Sequence, residues 1–289
     1  MKESKKNEPF WKIDPEEAEE AFKNVISYDS KSKYEPPKFV FFINEGFLSG
    51  RDNFKGLCTQ NSFILLDGKP KTKKSTFIRM MAAAHLSSRG VYENVKCTMN
   101  INQHLVIFDS EQSKEEFESM ISNTIKISGN EGKPDNLHAF NLKFMNPKER
   151  MNFVLYKIKS LLNKYNRNGR IKEEDKIGTV IIDHGADFVY DVNDNEQVKA
   201  FMDFINLIIK MTGALVVIIM HKNKNNNEPT GALGYELQKK ASIYVSVSKD
   251  KGRDGPNDPS RLYLDEGRIP TYFKSFLFNY DKDYPIIVT

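Results

Sequence analysis

The sequence predicts an α/β fold: a mostly parallel, twisted sheet with helices on both faces and antiparallel strands added near the C-terminus. Two observations carry this expectation. Short, continuously apolar runs such as TVIID and ALVVIIM alternate with amphipathic stretches of helical length, the pattern of strands buried on both faces. Past residue 241 the apolar runs SIYVSVSKD, SRLYLDEG, YFKSFLFN and PIIVT follow one another with turns and no helices between them, which calls for antiparallel neighbours.

The elements follow in chain order. Residues 1–35 read as an extension: DPEEAEEAFKNVIS is a short helix capped by Asp14 with Pro15 at its first position, and KSKYEPPK is a linker. Residues 36–289 read as one α/β domain. FVFFI and SFILLD are strands, and TFIRMMAAAHLSSRG is a helix closed by Gly90. HLVIFDSEQS is a strand that emerges into a polar turn before the helical SKEEFESMISNTIKI, and LHAFNL is a further strand. PKERMNFVLYKIKSLLNKYN is an amphipathic helix beginning at proline. TVIID is a buried strand ending in Asp183, EQVKAFMDFINLIIKM a helix, and ALVVIIMH a buried strand ending in His221. NKNNNEPTG reads as a polar loop, and no internal repeat is visible.

Composition narrows the class. The chain has 289 residues, with 43 Lys and Arg against 39 Asp and Glu, a mild excess of +4 that permits nucleic-acid contact without arguing for it. Its two cysteines, Cys58 and Cys97, have neither CxxC spacing nor a histidine cluster nearby, so reduced thiols are expected rather than a zinc site or a disulfide. The start is charged, and ALVVIIM is far too short to cross a bilayer. A soluble, cytoplasmic protein with no membrane contact is expected.

One stretch carries chemistry. Gly68-Lys69-Pro70-Lys71-Thr72-Lys73-Lys74-Ser75-Thr76 lies between a strand and a helix and nearly matches the P-loop G-x-x-x-x-G-K-[ST], with Lys73 where a second glycine belongs. In such a loop backbone N–H groups and the helix start face phosphate oxygens; Lys74 reaches the β- and γ-phosphates of ATP, and the Ser75 hydroxyl takes Mg²⁺. If position 73 needs a left-handed backbone, a lysine there costs about 1–2 kcal/mol, and it adds charge beside the triphosphate. The plain alternative is a basic turn opening a helix. Three lysines at a helix start are electrostatically poor unless an anion joins them.

Three strand ends supply the companions a phosphoryl-transfer site needs. Asp183 can reach the metal, directly or through water. Glu111, just past HLVIFD, is placed to polarise water, and His221 can contact the γ-phosphate. Each has a bland alternative, namely a loop-opening carboxylate, a solvated glutamate and a structural histidine. HKNKNNNEPTGALGYELQKKA joins Lys222, Lys224, Tyr235, Lys239 and Lys240 in what reads as a flexible loop able to touch a nucleic-acid backbone and stack a base, or simply a solvated surface.

GKPKTKKS, FDSEQS, VIIDHGADFVYDVNDNEQ and IIMHKNK…TGALGYELQKKAS together resemble the RecA-like ATPases of the hexameric RepA/DnaB helicase group, especially those carried by mobile elements and phages of Bacteroidetes, over roughly residues 36–289. The resemblance implies that Lys74 and Ser75 bind phosphates and Mg²⁺, Glu111 polarises water, Asp183 is the Walker B aspartate and His221 the sensor. It also implies a homohexamer acting on single-stranded DNA, with Arg268 reaching a neighbour's nucleotide and a replication or mobilisation partner. The chain shows no primase-like or separate N-terminal helicase domain, which leaves two other readings open: an ATP-binding switch or adaptor with little turnover, and a nucleic-acid-binding module with a vestigial P-loop.

Overall fold

The computed structural model describes residues 38–48, 51–166, 169–223, 228–250, 258–267, 275–281 and 284–288. The helix expected over DPEEAEEAFKNVIS lies outside these residues.

Among the described residues nine strands form the main sheet, in the order β13-β12-β11-β10-β3-β9-β8-β6-β7. Its centre is parallel: β3 (Ser62–Gly68) lies between β9 (Leu215–Ile219) and β10 (Ile243–Lys249), and β8 (Ile177–Asp183), β6 (His104–Asp109) and β7 (Leu137–Asn141) extend it on the β9 side. On the other side β11 (Ser260–Gly267), β12 (Ser275–Asp281) and β13 (Tyr284–Val288) add antiparallel neighbours. The expected fold class is therefore the observed one.

Alternation along each strand splits the core in two. Ile64, Leu66, Ile107, Ile181 and Val217 face α1 (Lys74–Leu86) and α2 (Lys114–Ile127), whereas Leu65, Val106, Val180, Ile182 and Val216 face α3 (Pro147–Tyr165), α4 (Asn195–Thr212) and α5 (Gly231–Lys240). Local chemistry sets the helix starts. α2 and α3 each open on a capping box, Ser113 with Glu116 and Asn146 with Glu149, and α4 opens on Asp194 and closes on Gly213 in the left-handed conformation.

Three features differ from expectation. A second sheet of β1 (Phe39–Leu48), β2 (Arg51–Thr59), β4 (Val91–Tyr92) and β5 (Val95–Cys97) covers α1, and only β1 of it was legible. α1 ends at Leu86 with Ser87 as cap, so Gly90 serves a later turn in which its N–H reaches the Ser87 carbonyl. Residues 231–240 are helical rather than a loop, because Leu233 and Leu237, four apart, are both buried and Gly234 packs against Pro229. Cys58 and Cys97 are both buried, and burial pushes the Cys97 thiol up to about 12.

His85 of α1 sits wholly inside this core. Its Nε2–H donates to the Gln103 carbonyl at 2.9 Å, leaving Nδ1 to accept from the Thr179 hydroxyl at 3.1 Å. Burial lowers its pKa to about 4. The unfolded chain takes up this proton near pH 6.5 and the folded chain only near 4, so this stabilising contribution is complete above pH 6.5 and lost as pH falls to 4. A His85→Gln protein is expected to show a flatter loss of urea stability across that window, by up to about 3 kcal/mol. Parallel pH profiles for the two proteins would refute this role.

Candidate nucleotide site

The carboxyl ends of β3, β6, β8 and β9 open into one cleft of about 790 Å³. Parallel sheets place ligands at this edge. Lys71, Thr72, Lys73, Lys74, Ser75 and Thr76 line one side of the cleft, with Glu111, Asp183 and His221 opposite.

The loop is built for close approach. A Cβ on Gly68 would lie 2.4 Å from the Val247 carbonyl oxygen and 2.7 Å from the Thr72 hydroxyl, so only glycine fits there. Lys73 has φ 66° and ψ 31°, the left-handed conformation that a glycine would adopt without strain. Its side chain does not aim at the cleft. Lys73 Nζ donates to the Asp258 carbonyl at 2.8 Å and to Asn279 Oδ1, so its charge is spent on β12 and on the residues before β11 rather than beside a triphosphate.

Three residues predicted from separate segments meet in a single relay. Lys74 Nζ lies 2.9 Å from His221 Nδ1, and His221 Nε2 lies 3.2 Å from Glu111 Oε1. The ammonium can only donate, so His221 accepts at Nδ1 and donates through Nε2. Lys74 Nζ also donates to the Gly68 and Lys69 carbonyls at 2.9 and 3.2 Å. Burial lowers its pKa to about 8, against the pull of Asp183 and Glu111. The hydrogen bond from His221 holds Glu111 below the usual carboxylate range and therefore ionised.

Behind this relay lies a packed acidic layer. Asp183 is buried, and desolvation together with Asp109 and Glu111 pushes its pKa well up. Asp109 is raised to about 6 by burial; its Oδ1 accepts from the Glu111 and Gln112 amides at 3.1 and 2.9 Å, fixing the turn that aims Glu111. Ser110 stitches β6 to β8, donating to Asp187 Oδ2 at 2.9 Å and accepting from the His184 amide at 2.9 Å. Sequence reading passed over Asp109, Ser110 and Asp187, and it saw in His184 only that no second carboxylate follows Asp183. Of these only Asp109 left a local signal, an aspartate placed two residues before Glu111 at a strand end.

The donor set fits both implied groups. α1 has no capping side chain and no acidic residue in its first turn, unlike α2 and α3, an arrangement that suits an anion at its start. Ser75 and the Asp183 carboxylate line the same cleft, and the buried Asp109 Oδ2 lacks a hydrogen-bond partner. Among the described residues no group of three or more His, Cys, Asp or Glu could hold a metal alone.

The DNA candidates fare differently. Lys222 is only partly exposed and is engaged rather than presented: its ammonium lies 3.5 Å from Asp67 Oδ1 and 3.4 Å from Asp265 Oδ2, over the rings of Tyr244 and Tyr263. Asp67 and Asp265 hold the positive charge that the sequence offers to solvent. Tyr235 is 55% exposed on α5, with the Lys239 ammonium 4.2 Å from its ring centroid. Lys239 and Lys240 both pair with Glu236, at 3.5 and 3.8 Å. Lys224 and Arg268 lie outside the described residues.

Sheet order, P-loop and strand-end carboxylates together define a RecA-like P-loop ATPase fold. Residues 32–227 match the model of the AAA domain, and the chain belongs to that family. In fold it is similar to a KaiC-like protein of the hyperthermophilic archaeon Pyrococcus horikoshii, with a TM-score of 0.52 and 11% identity over 81% of this chain and 92% of that one. No curated protein matches the sequence. Among the described residues no helix is long and apolar enough to cross a membrane.

Proposed function

We propose that this P-loop ATPase hydrolyses ATP with Mg²⁺ as a ring-forming motor on single-stranded DNA, a helicase or mobilisation ATPase of the RepA/DnaB kind. The observation that carries the hydrolytic part is the Glu111–His221–Lys74 relay. Ionised Glu111 accepts a proton from the attacking water as general base. His221 fixes the carboxylate through Nε2 and reports, through Nδ1, where the Lys74 ammonium sits. Lys74 exchanges the Gly68 and Lys69 carbonyls for phosphate oxygens, and the uncapped start of α1 supplies further N–H donors. Ser75 and Asp183 would hold Mg²⁺, which supplies charge neutralisation on the phosphates.

Support for DNA comes from α5. Thr230, which opens it, donates from Oγ1 to the His221 carbonyl at 2.6 Å, tying the helix that carries Tyr235, Lys239 and Lys240 to the sensor residue. Phosphate release is expected to rise several-fold with single-stranded DNA, and the DNA affinity to fall steeply with salt. Sedimentation with ATP should show an assembly larger than one chain. No binding to DNA at low salt would remove the DNA part of the proposal. The second reading, an ATP-dependent switch or adaptor, is favoured by Lys74 being closed onto its own loop's carbonyls. ATP retention without phosphate release would select it.

A further inference from the structure

The residue that departs from the P-loop pattern has a partner far along the chain. Lys73 Nζ donates to the Asp258 carbonyl at 2.8 Å and to the side-chain oxygen of Asn279 on β12. A second, apolar contact joins the same two elements one turn further into α1. The Phe77 ring packs on Phe276 and Phe278 of β12, with centroids 5.9 and 6.4 Å apart. Phe77, Phe276 and Phe278 are all buried. The strand that carries Asn279 is therefore seated on the phosphate-loop helix by one polar and one aromatic anchor.

We infer that Lys73 is a positioning residue that tethers the phosphate loop to β12, so that the antiparallel C-terminal strands follow the state of the loop. Glycine at this position would grant the left-handed turn by conformational freedom alone. Lysine enters the same turn against its preference and is held there by two oxygens at the far end of its side chain. The neighbouring Lys74, by contrast, stays with the loop carbonyls and His221. Two adjacent lysines thus divide the work: one is poised for phosphate, the other grips the sheet. A shift of the loop on nucleotide binding is passed to β12 through the Lys73 side chain. Only this last step rests on the ATPase reading above; the tether itself does not.

The test uses the full-length protein and reads amide hydrogen exchange across residues 275–281 together with the Kd for a fluorescent ATP analogue. Lys73→Met and Asn279→Ala are each expected to speed exchange in β12 without nucleotide, and the double variant to do no more than Lys73→Met alone, because the Asn279 bond is one of the two that Lys73→Met already removes. ATP affinity should change less than about tenfold in Lys73→Met, a step corresponding to about 1.4 kcal/mol. Lys73→Gly, which removes the tether while easing the turn, guards against a misfolded variant and should give the same exchange pattern. Unchanged β12 exchange with a much larger loss of ATP affinity would make Lys73 a phosphate ligand and overturn the inference. Additive exchange effects would overturn it too. If the wild type binds no ATP, the ATPase reading fails while the nucleotide-free exchange arm still decides the tether.

Discussion

A Glu111→Gln protein is expected to bind ATP with nearly unchanged affinity and to release phosphate about 10²–10⁴-fold more slowly than the wild type. The substitution is chosen because it spares geometry. The glutamine carbonyl oxygen can still accept the hydrogen bond that His221 Nε2 gives to Glu111 Oε1 at 3.2 Å, so only the basicity is lost. Single-turnover phosphate release beside an equilibrium binding titration separates the two quantities. Lys74→Ala provides the contrast, since it removes the ammonium that links His221 to the loop carbonyls and should weaken binding itself. Full hydrolysis by Glu111→Gln would take the general base away from this residue and leave Asp183 or Asp109 as the candidates.

The second large effect concerns stability. Replacing Lys222 by methionine keeps most of the side-chain volume and removes the ammonium that lies between Asp67 and Asp265. Asp67 is fully buried, and it also accepts hydrogen bonds from the Tyr244 and Ser246 hydroxyls at 2.7 Å each. Removing the cation leaves the buried Asp67 carboxylate uncompensated, and breaking a pair at a buried charge costs up to about 3–5 kcal/mol. A shift of that size in urea unfolding is expected for Lys222→Met, largely recovered when Asp67→Asn and Asp265→Asn are added. A loss below about 1 kcal/mol would mean that water already reaches the cluster and screens it.

The contrast between these two predictions shows what a sequence displays. Lys74, Glu111, Asp183 and His221 could be grouped from the sequence because each lies at, or a few residues beyond, the carboxyl end of a strand whose apolar run is visible, and a parallel sheet gathers such ends at one edge. Lys222 could not be placed, because its partners Asp67 and Asp265 belong to strands remote in the chain and no local pattern marks a lysine drawn in between two carboxylates. The role of Lys73 was hidden for the same reason: its left-handed backbone could be anticipated from the motif, but not its grip on Asn279. β2 escaped notice because RDNFKGLCT is polar along its first half, as a strand with half-exposed residues is. α5 was obscured by its glycines, which read as loop until the close approach of Pro229 to Gly234 explains one of them.

The position of β3 has a consequence for how the protein is made. This strand, which leads into the phosphate loop, pairs on one side with β9 and on the other with β10, Ile64 standing beside both Val217 and Ile243. Its partners are translated about 150 and 180 residues after it, which at about 5–20 residues per second is a wait of roughly 8–36 s. During synthesis the apolar strand ahead of the loop therefore emerges with both hydrogen-bonding edges bare. The nucleotide site is among the last parts of the molecule to be assembled, and a chain stalled before residue 243 carries an uncovered strand edge open to aggregation or to capture by a chaperone.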